Sequence, residues 1–243
     1  MIDLNADVGE GYDDGSLMPF VTSVNVACGG HAGDQRTMSE TVAAALRLRI
    51  AIGAHPSYPD REHFGRRELA MPLGDVEAAI RDQVRALRGI VESAGSRLAH
   101  VKPHGALYNL AARDEAAARA IVRAVCDVDP GLTVVGLAGS RLFAATREAG
   151  LRAAGEAFAD RRYAPDGSLA PRSEPRALIR DPEEAADQAL SIVRDGVVAA
   201  LDGRRVAIRP ETLCIHGDSD GATEIARAVR ERLLSAGIEI RRL

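Results

Sequence analysis

The sequence predicts an α/β fold built on a parallel β-sheet, which either closes into a barrel or forms a doubly wound open sheet. Short apolar runs alternate with longer stretches in which apolar residues recur every three or four positions, the pattern of strands alternating with amphipathic helices. The chain has 243 residues, 46% of them hydrophobic, and no low-complexity linker divides it. We therefore expect one catalytic domain over residues 1–243.

Seven short apolar runs are the predicted strands. Most are rich in β-branched or small residues, and turn-forming or charged residues bound them. Seven strands with a helical segment between most of them suit a barrel and an open sheet equally well. The runs cover residues 1–5, 23–27, 50–54, 98–102, 132–137, 151–158 and 212–216.

The helical segments have their own boundary signals. Residues 75–94 carry apolar side chains at helical spacing. Asp181 and Pro182 precede the next clear helix as a capping residue and a first-turn proline. The last helix has a stripe that ends at Leu233, and Gly237 stands where a C-terminal cap belongs. Residues 160–181, which contain a Pro-Asp-Gly turn, break this rhythm and predict a hairpin or lid over one face.

Composition and charge exclude several kinds of function. The formal net charge is −4 without a basic run, and aromatic residues make up 3% of the chain, which argues against nucleic-acid binding and an anionic membrane surface. Asp3 and Asp7 lie where a signal peptide would be apolar, and no stretch suits a membrane span, so we expect a cytoplasmic protein. The three cysteines share no short spacing and predict reduced thiols.

Polar residues cluster at or just after the ends of the predicted strands. Parallel strands all point the same way, so residues at their carboxyl ends converge on one face, where α/β proteins keep their active sites. Only the fifth strand lacks a titratable group at this position. The residues are Asn5, Asp7 and Glu10; His31 and Asp34; His55 and Asp60; Lys102, His104 and Asn109; Glu156, Asp160 and Arg161; and His216 and Asp218.

Some of these residues have simpler structural explanations. Aspartates at strand-to-helix junctions often cap the following helix or hold a turn, and for Asp34, Asp60 and Asp218 this explanation and a functional one are equally good. His100, inside its strand, and His63, in a charged loop, are interpreted as structural. The conjunction favours function all the same, because four of the six histidines lie at or beyond four different strand ends.

Two chemistries suit this ring of residues. Asp7 with two histidines matches the ligands of a divalent metal that keeps positions open for water and substrate. Alternatively, Lys102 and a histidine stabilise developing negative charge while Asp7, Glu10 or Glu156 transfers protons, without a protein-bound metal. The sequence contains neither HExxH nor the glycine-rich phosphate motifs, and it does not choose between these two chemistries.

Six motifs along the chain resemble a known family. They are DLNADVGEG (3–11), VTSVNVACGGHAGD (21–34), IGAHPSYPDREHFGRR (52–67), HVKPHGALYN (100–109), EAFADRRYAPDGSLAPR (156–172) and CIHGD (214–218). In this order they strongly resemble the LamB/YcsF family. The resemblance implies a (β/α)7-type barrel similar to glycoside hydrolase and deacetylase barrels. It also implies a cytosolic hydrolase that acts with partner subunits B and C and opens 5-oxo-L-proline to L-glutamate at the expense of ATP.

This resemblance suggests roles for the clustered residues. Lys102, with Arg161 as a second candidate, would neutralise charge on the transferring phosphoryl group or the lactam oxygen. His55 and His104 would orient the lactam and move protons. Asp7 and Glu10 would bind the Mg²⁺ of the nucleotide or activate water. The expected catalytic residues are thus Asp7, Glu10, His55, Lys102 and His104, and the expected substrate-binding residues are Asn5, His31, Glu156, Asp160, Arg161 and His216.

Two other functions remain open at this stage. A stand-alone metal-dependent amidase or deacetylase would hold a divalent ion at Asp7, His31 and His55 and would need no ATP. A binding subunit would deliver 5-oxoproline to partners that hold the nucleotide. The sequence also departs from the family at Gly30, where an aromatic is usual, and in the short segment 12–16, both beside the predicted pocket. A homo-oligomer is neither indicated nor excluded.

Overall fold

Seven parallel strands close into a barrel in a computed structural model that describes residues 1–218 and 221–243. The barrel order is β1-β2-β3-β4-β5-β6-β9, and β1 pairs with both β2 and β9, so the open-sheet alternative is excluded. Strands β7 and β8 form a separate antiparallel pair. The strands are β1 Asp3–Val8, β2 Ser23–Ala27, β3 Ala51–His55, β4 His100–Val101, β5 Thr133–Leu137, β6 Arg152–Phe158, β7 Val197–Ala199, β8 Arg205–Ala207 and β9 Thr212–His216.

Helices cover the outside of the barrel. Asp181 caps α7 with its side chain and Pro182 opens that helix, as predicted. Gly237 follows α8 with a φ of 74°, the left-handed conformation expected after a helix C-terminus. The helices are α1 Asp14–Leu17, α2 Gln35–Leu48, α3 Leu73–Ser93, α4 Gly105–Arg113, α5 Glu115–Val128, α6 Arg141–Glu148, α7 Pro182–Leu190 and α8 Ala222–Ser235. A π-helical turn, Ser191–Asp195, extends α7.

The strand predictions hold for all seven barrel strands, and only two of them differ from the structure by more than one residue at either end. The first strand runs to Val8 rather than ending at residue 5, because its polar residues occupy the barrel interior instead of a loop. The predicted strand 98–102 pairs regularly only at His100 and Val101, because the following Pro103 cannot donate to the ladder. The β7–β8 pair is too short and too exposed to leave an apolar signature.

The barrel interior is polar. Hydrogen bonds cross it between strands that are not neighbours, from Lys102 on the β4 end to Asp7 on β1 and from Asn5 on β1 to Glu156 on β6. The alternate residues of the same strands, such as Leu4, Val24 and Ile215, are buried in the apolar layer that contains the helices. Along these strands, polar side chains that face the barrel interior therefore alternate with apolar side chains that face the helices. In a sheet with one face in solvent, the buried face is the apolar one.

Gly53 makes room for a histidine inside the barrel. Its register partner His100 lies buried, and the His100 Nε2 contacts Asn25 Oδ1 at 2.8 Å. Burial, reinforced by the charges of Lys102 and His55, lowers the His100 pKa to about 3, so the ring is neutral at physiological pH. His100 thus has the structural role expected of it.

Gly53→Ala is expected to lower the free energy of unfolding by about 1–3 kcal/mol, because the new methyl group would overlap the buried His100 ring. Chemical denaturation measures the change. Gly89→Ala, on the exposed side of α3 with open space around it, is the matched control and should raise stability by about 0.5–1 kcal/mol. Equal stability of the Gly53 variant and the wild type would contradict this packing.

Residues 160–181 contain short antiparallel pairings in place of a regular hairpin. Arg161 pairs with Leu178 and Tyr163 with Leu169, around the turn at 165–168. Residues 169–172 lie against the cavity described below, on the side where a lid was predicted. Over residues 1–218 and 221–243, no helix is long and apolar enough to cross a membrane.

Candidate active site

A cavity of about 300 Å³ opens at the carboxyl ends of the barrel strands. This volume is at the lower end of the range for small-molecule sites. It is lined by charged residues from the strand ends, by the start of α4 and by part of the 160–181 segment. The lining residues are Asp7, Glu10, His55, Arg66, Lys102, Pro103, His104, Gly105, Ala106, Tyr108, Asn109, Phe158, Arg161, Leu169, Ala170, Pro171, Arg172, His216 and Asp218.

Lys102, the only lysine of the sequence, forms the floor of the cavity. Pro103 ends the strand directly after it, and the Lys102 side chain extends into the barrel, where it is 2% exposed. Its Nζ lies 3.0 Å from Asp7 Oδ1 and 2.9 Å from Glu156 Oε1. Burial alone would lower the Lys102 pKa, but the negative charges around it, Asp7 above all, raise it well above its ordinary value. The lysine is a permanent cation between two carboxylates.

The two carboxylate oxygens of Asp7 have different partners. Its Oδ1 accepts hydrogen bonds from Lys102 and, at 2.9 Å, from Asn25 Nδ2. Its Oδ2 lies 3.3 Å from His55 Nε2. Burial would raise the Asp7 pKa, yet the positive charges of His55 and Lys102 hold it well below its usual range. Asp7 is therefore ionised at neutral pH.

Glu10 has the opposite protonation tendency. Burial and the negative charges of Asp7 and Asp218 raise its pKa well above the ordinary value. Its Oε1 contacts His31 Nε2 at 2.7 Å. Burial lowers the His31 pKa to about 2, so this imidazole is neutral. Two carboxyl groups at the same mouth therefore differ in charge, which is the arrangement that assigns separate acid and base roles.

His55 and His104 face each other across the mouth of the barrel. His55 Nδ1 donates to the Lys102 carbonyl at 2.8 Å, and His104 Nε2 donates to the Phe64 carbonyl at 2.9 Å, since a carbonyl oxygen can only accept. Their remaining nitrogens, His55 Nε2 and His104 Nδ1, are 3.0 Å apart. Two bare lone pairs at this distance would repel, so the pair needs either a shared proton or a bound cation between them.

Glu10, His31, His55 and His104 offer four donor atoms within 4.8 Å of one another, a possible metal site. An imidazole binds a metal along a lone pair in its ring plane. The His31 and His104 rings, however, are stacked 3.6 Å apart and only 2° from parallel, so one ion cannot lie in both planes. The geometry therefore allows one metal ion to be bound by Glu10, His55 and one of the two stacked histidines. The predicted metal ligand Asp7 lies beside this group, with its Oδ2 3.3 Å from His55 Nε2.

His216 and Asp160 form an oriented pair. Both Asp160 oxygens lie 3.0 Å from His216 Nδ1, and the His216 backbone N–H donates to Oδ2 at 2.9 Å. Burial would raise the Asp160 pKa, but the adjacent His216 lowers it. The His216 ring also stacks on Phe158 with centroids 5.3 Å apart. The carboxylate thus fixes the ring, and Nε2 is the nitrogen left for proton transfer, as in a catalytic His–Asp pair.

Three arginines surround the outer part of the cavity. Arg66 and Arg172 both pair with Asp218, the latter at 3.3 Å. Arg161 is 5% exposed and donates through Nη2 to the Ala170 carbonyl at 2.8 Å. Its Nε is buried without a partner among the described residues. Burial, together with the nearby charge of Arg172, lowers the Arg161 pKa to about 10, which still leaves the guanidinium charged at neutral pH.

The structure brings together most of the residues that the sequence predicted. All five expected catalytic residues, with Arg161 and His216, line the cavity. Asn5 and Glu156 lie under it and hold Lys102, while His31 and Asp160 lie behind Glu10 and His216. These four are better placed to orient the lining residues than to contact a ligand. Their substrate-binding role stays a prediction.

The sequence patterns did not single out Tyr108, Arg66 or Arg172 as site residues. Tyr108 lies one helical turn after His104, and its buried hydroxyl has no partner among the described residues. Spacing of four from His104 on a predicted helix could have identified it. Gly30 does not border the cavity as expected. A side chain there would overlap Ser57 and Gln83, so Gln83 fills the space next to it.

Comparison with known proteins places this chain in a family. The sequence profile of the LamB/YcsF family matches residues 2–243. The chain belongs to the LamB/YcsF family. LamB/YcsF relatives include a Chloroflexus aggregans protein named as the A subunit of 5-oxoprolinase, 52% identical over 246 aligned positions that cover 99% of this chain and 98% of that protein. The Bordetella pertussis protein of the same name is also 52% identical, covering 98% and 97%.

Solved structures agree with the LamB/YcsF assignment. The lactam utilization protein from Thermus thermophilus has a TM-score of 0.93 and 48% identity, covering 100% of this chain and 99% of that one. A family 4 carbohydrate esterase from Streptomyces lividans has a TM-score of 0.52 and 10% identity, covering 98% and 89%. The esterase likeness establishes a shared barrel fold and nothing about chemistry.

Proposed function

We propose that this chain is the A subunit of a 5-oxoprolinase and acts in the cytoplasm with partner subunits B and C. The complex would hydrolyse 5-oxo-L-proline to L-glutamate at the expense of ATP. The observation that carries the proposal is the 52% identity, over nearly the whole chain, to proteins named as 5-oxoprolinase A subunits. A cavity of about 300 Å³ with separate acidic and basic groups supports a small polar substrate such as this lactam.

Ring opening requires two proton transfers. A water molecule must lose a proton as its oxygen bonds to the lactam carbonyl carbon, and the ring nitrogen must gain one as the carbon–nitrogen bond breaks. His216, oriented by Asp160, suits the first transfer. Protonated Glu10 suits the second, because its raised pKa keeps a proton available at neutral pH. Asp7, whose pKa is lowered, is a weak base and suits charge stabilisation.

ATP is a co-substrate in this proposal. An amide carbonyl is a poor electrophile, and transfer of the γ-phosphoryl group from ATP to the lactam oxygen, with release of ADP, would make the ring carbon easier to attack. After water adds and the carbon–nitrogen bond breaks, a second water would hydrolyse the resulting acyl phosphate to the γ-carboxylate of glutamate and inorganic phosphate. The arginines at the mouth and the start of α4 at Gly105 provide positive potential for an anionic group. Asp7, a carboxylate that lines the cavity, would hold Mg²⁺ with the nucleotide.

Reconstitution tests the proposal directly. Co-expressed with its candidate B and C partners, the chain should support glutamate release from 5-oxo-L-proline only when ATP is present, with ADP formed alongside. The controls omit each subunit or the nucleotide in turn. Glutamate release in no combination would refute the assignment, and release that depends on B and C but not on this chain would refute its role.

A second function is a metal-dependent amidase that needs no ATP. The donor cluster of Glu10, His31, His55 and His104 is the observation that favours it, and the parallel His31 and His104 rings weigh against four-fold coordination. The same preparation separates the two functions. A stoichiometric divalent ion in the purified chain, with amide hydrolysis in the absence of nucleotide, would favour the amidase. Substoichiometric metal and strict ATP dependence would favour the 5-oxoprolinase.

A further inference from the structure

Arg161 is the cation of the cavity whose charge has no close partner. Lys102 lies between Asp7 and Glu156, and Asp218 pairs with both Arg66 and Arg172. Within residues 1–218 and 221–243, no carboxylate lies within salt-bridge distance of the Arg161 guanidinium, and its Nε is unpartnered.

Asp160 does not fill this need, although it precedes Arg161 in the chain. Its two oxygens are engaged by the His216 ring and backbone N–H. A buried donor left unpaired costs free energy, and a buried charge without a counterion costs more. A group of this kind, kept inside a ligand-sized cavity, indicates an anionic ligand.

The guanidinium is also held in place. Its Nη2 donates to the Ala170 carbonyl, and the Gln188 side chain donates to the Arg161 carbonyl at 2.8 Å. Arg172, with a side chain 29% exposed, lies on the same wall and adds a second positive charge. One carboxylate on the ligand would offset the net positive charge of this wall. A fixed, desolvated fork with a neighbouring cation is the usual geometry for binding a carboxylate.

We propose that Arg161, assisted by Arg172, binds the ring carboxylate of the lactam and so restricts this enzyme to carboxylated five-membered lactams. The inference rests on the proposed function. Leu169 and Pro171 on the same segment, with Phe158 below, offer apolar surface for the ring methylenes. With its carboxylate held at the outer wall, the ring presents its amide edge toward Lys102 and Glu10 on the floor. The 160–181 segment thus determines specificity while the strand ends carry the chemistry.

A monocarboxylate fits the cavity better than a phosphate group at this position. Arg66, Arg161 and Arg172 carry three positive charges against the two negative charges of Asp218 and Asp160, so one positive charge is left over and a dianion would bring one negative charge too many. A nucleotide phosphate is the alternative ligand of Arg161. Measured affinities for two lactams, together with the KM for ATP, distinguish it from a carboxylate.

The test compares 5-oxo-L-proline with 2-pyrrolidinone, the same lactam without the carboxylate. In the assembled complex without ATP, calorimetry should give an affinity for 5-oxo-L-proline that falls roughly 30-fold or more in Arg161→Gln, while the affinity for 2-pyrrolidinone changes by about twofold or less. Arg172→Gln, at a partly exposed site, should show the same selective loss at smaller size. Equal losses for both lactams, or no loss for either, would overturn the inference.

Controls keep the interpretation specific. Arg162→Gln changes the neighbouring arginine, which pairs with Glu184 outside the cavity, and should leave both affinities unchanged. If Arg161→Gln does not fold, as judged by circular dichroism and melting, Arg172→Gln decides. A raised KM for ATP with an unchanged lactam preference would assign Arg161 to phosphate and overturn the proposal.

Failure of the proposed function would be recognised separately. It appears as absent glutamate release by the wild-type complex, whatever Arg161 does. In that case cyclopentanecarboxylate, a cyclic monoanion without the lactam, replaces 5-oxo-L-proline in the calorimetry. Its binding to the wild-type chain should again be weakened selectively by Arg161→Gln, and unchanged binding would overturn the carboxylate subsite.

Discussion

Lys102→Met is expected to abolish ATP-dependent glutamate release and to lower the free energy of unfolding by about 3–5 kcal/mol. Methionine keeps the unbranched shape of lysine but removes the cation that Asp7 and Glu156 share inside the barrel. Two buried carboxylates would then repel, and the Asp7 pKa would rise, so Asp7 would lose its charge or its position. Glutamate release by the reconstituted complex and urea denaturation of the isolated chain measure the two effects.

A double variant separates the loss of stability from the loss of activity. Lys102→Met combined with Glu156→Gln removes the cation and one of its anions, so part of the lost stability should return. Activity should not return, because Asp7 still lacks its partner. Wild-type turnover by Lys102→Met would contradict the proposed role of the lysine, and unchanged stability would contradict the buried ion-pair network.

Glu10→Gln is expected to reduce kcat by about 10²- to 10⁴-fold with little loss of stability. Glutamine matches the size and neutral charge of a protonated glutamic acid but cannot release a proton to the ring nitrogen. Rates of glutamate release, with urea denaturation alongside, test both parts. Glu62→Gln, on an exposed loop, is the matched control and should behave as the wild type. A Glu10→Gln variant with full kcat would exclude Glu10 as the acid.

The pH dependence provides an independent check on Glu10. A carboxyl group with a raised pKa is protonated below that value, so wild-type activity should fall as the pH rises through it. The folded chain holds this proton when the unfolded chain has lost it. Stability should therefore also fall between the ordinary glutamate pKa of 4.5 and the raised value. In Glu10→Gln this decline in stability should be absent.

The sequence predicts the strands well because each is a short apolar run with clear boundaries, but it does not decide barrel closure. Closure depends on the pairing of β1 with β9, which are distant in sequence and leave no local periodic signal. The family resemblance implied the barrel, and the strand pairing confirms it. The short hairpin β7–β8 was missed because neither strand buries an alternating apolar face.

For the site, the position of polar residues at the ends of the strands predicted which residues line the cavity. It did not predict the separate chemical role of each residue. Asp7 and Glu10 have similar sequence contexts, and only the surroundings in three dimensions separate an ionised aspartate from a protonated glutamate. Arg66 and Arg172 belong to loops, where arginine is usually solvated, and their meeting at Asp218 is a tertiary contact. Tyr108 belongs to the buried apolar cluster and also lines the cavity, and this double position depends on tertiary packing.

The pairing of the first strand with the last determines when this protein can fold. Asp3 on β1 receives a hydrogen bond from Thr212, 209 residues later, and Ile2 pairs with Ile240 near the chain end. A ribosome must therefore release almost the whole chain before the barrel can close, which is a slow, high-contact-order route. The side chains of β1 and β2 that face the barrel interior are Asp, Asn and Ser. A partly synthesised barrel therefore exposes a polar surface, which water solvates well. We expect the nascent chain to depend less on chaperones for this face than a barrel lined with valine and leucine would.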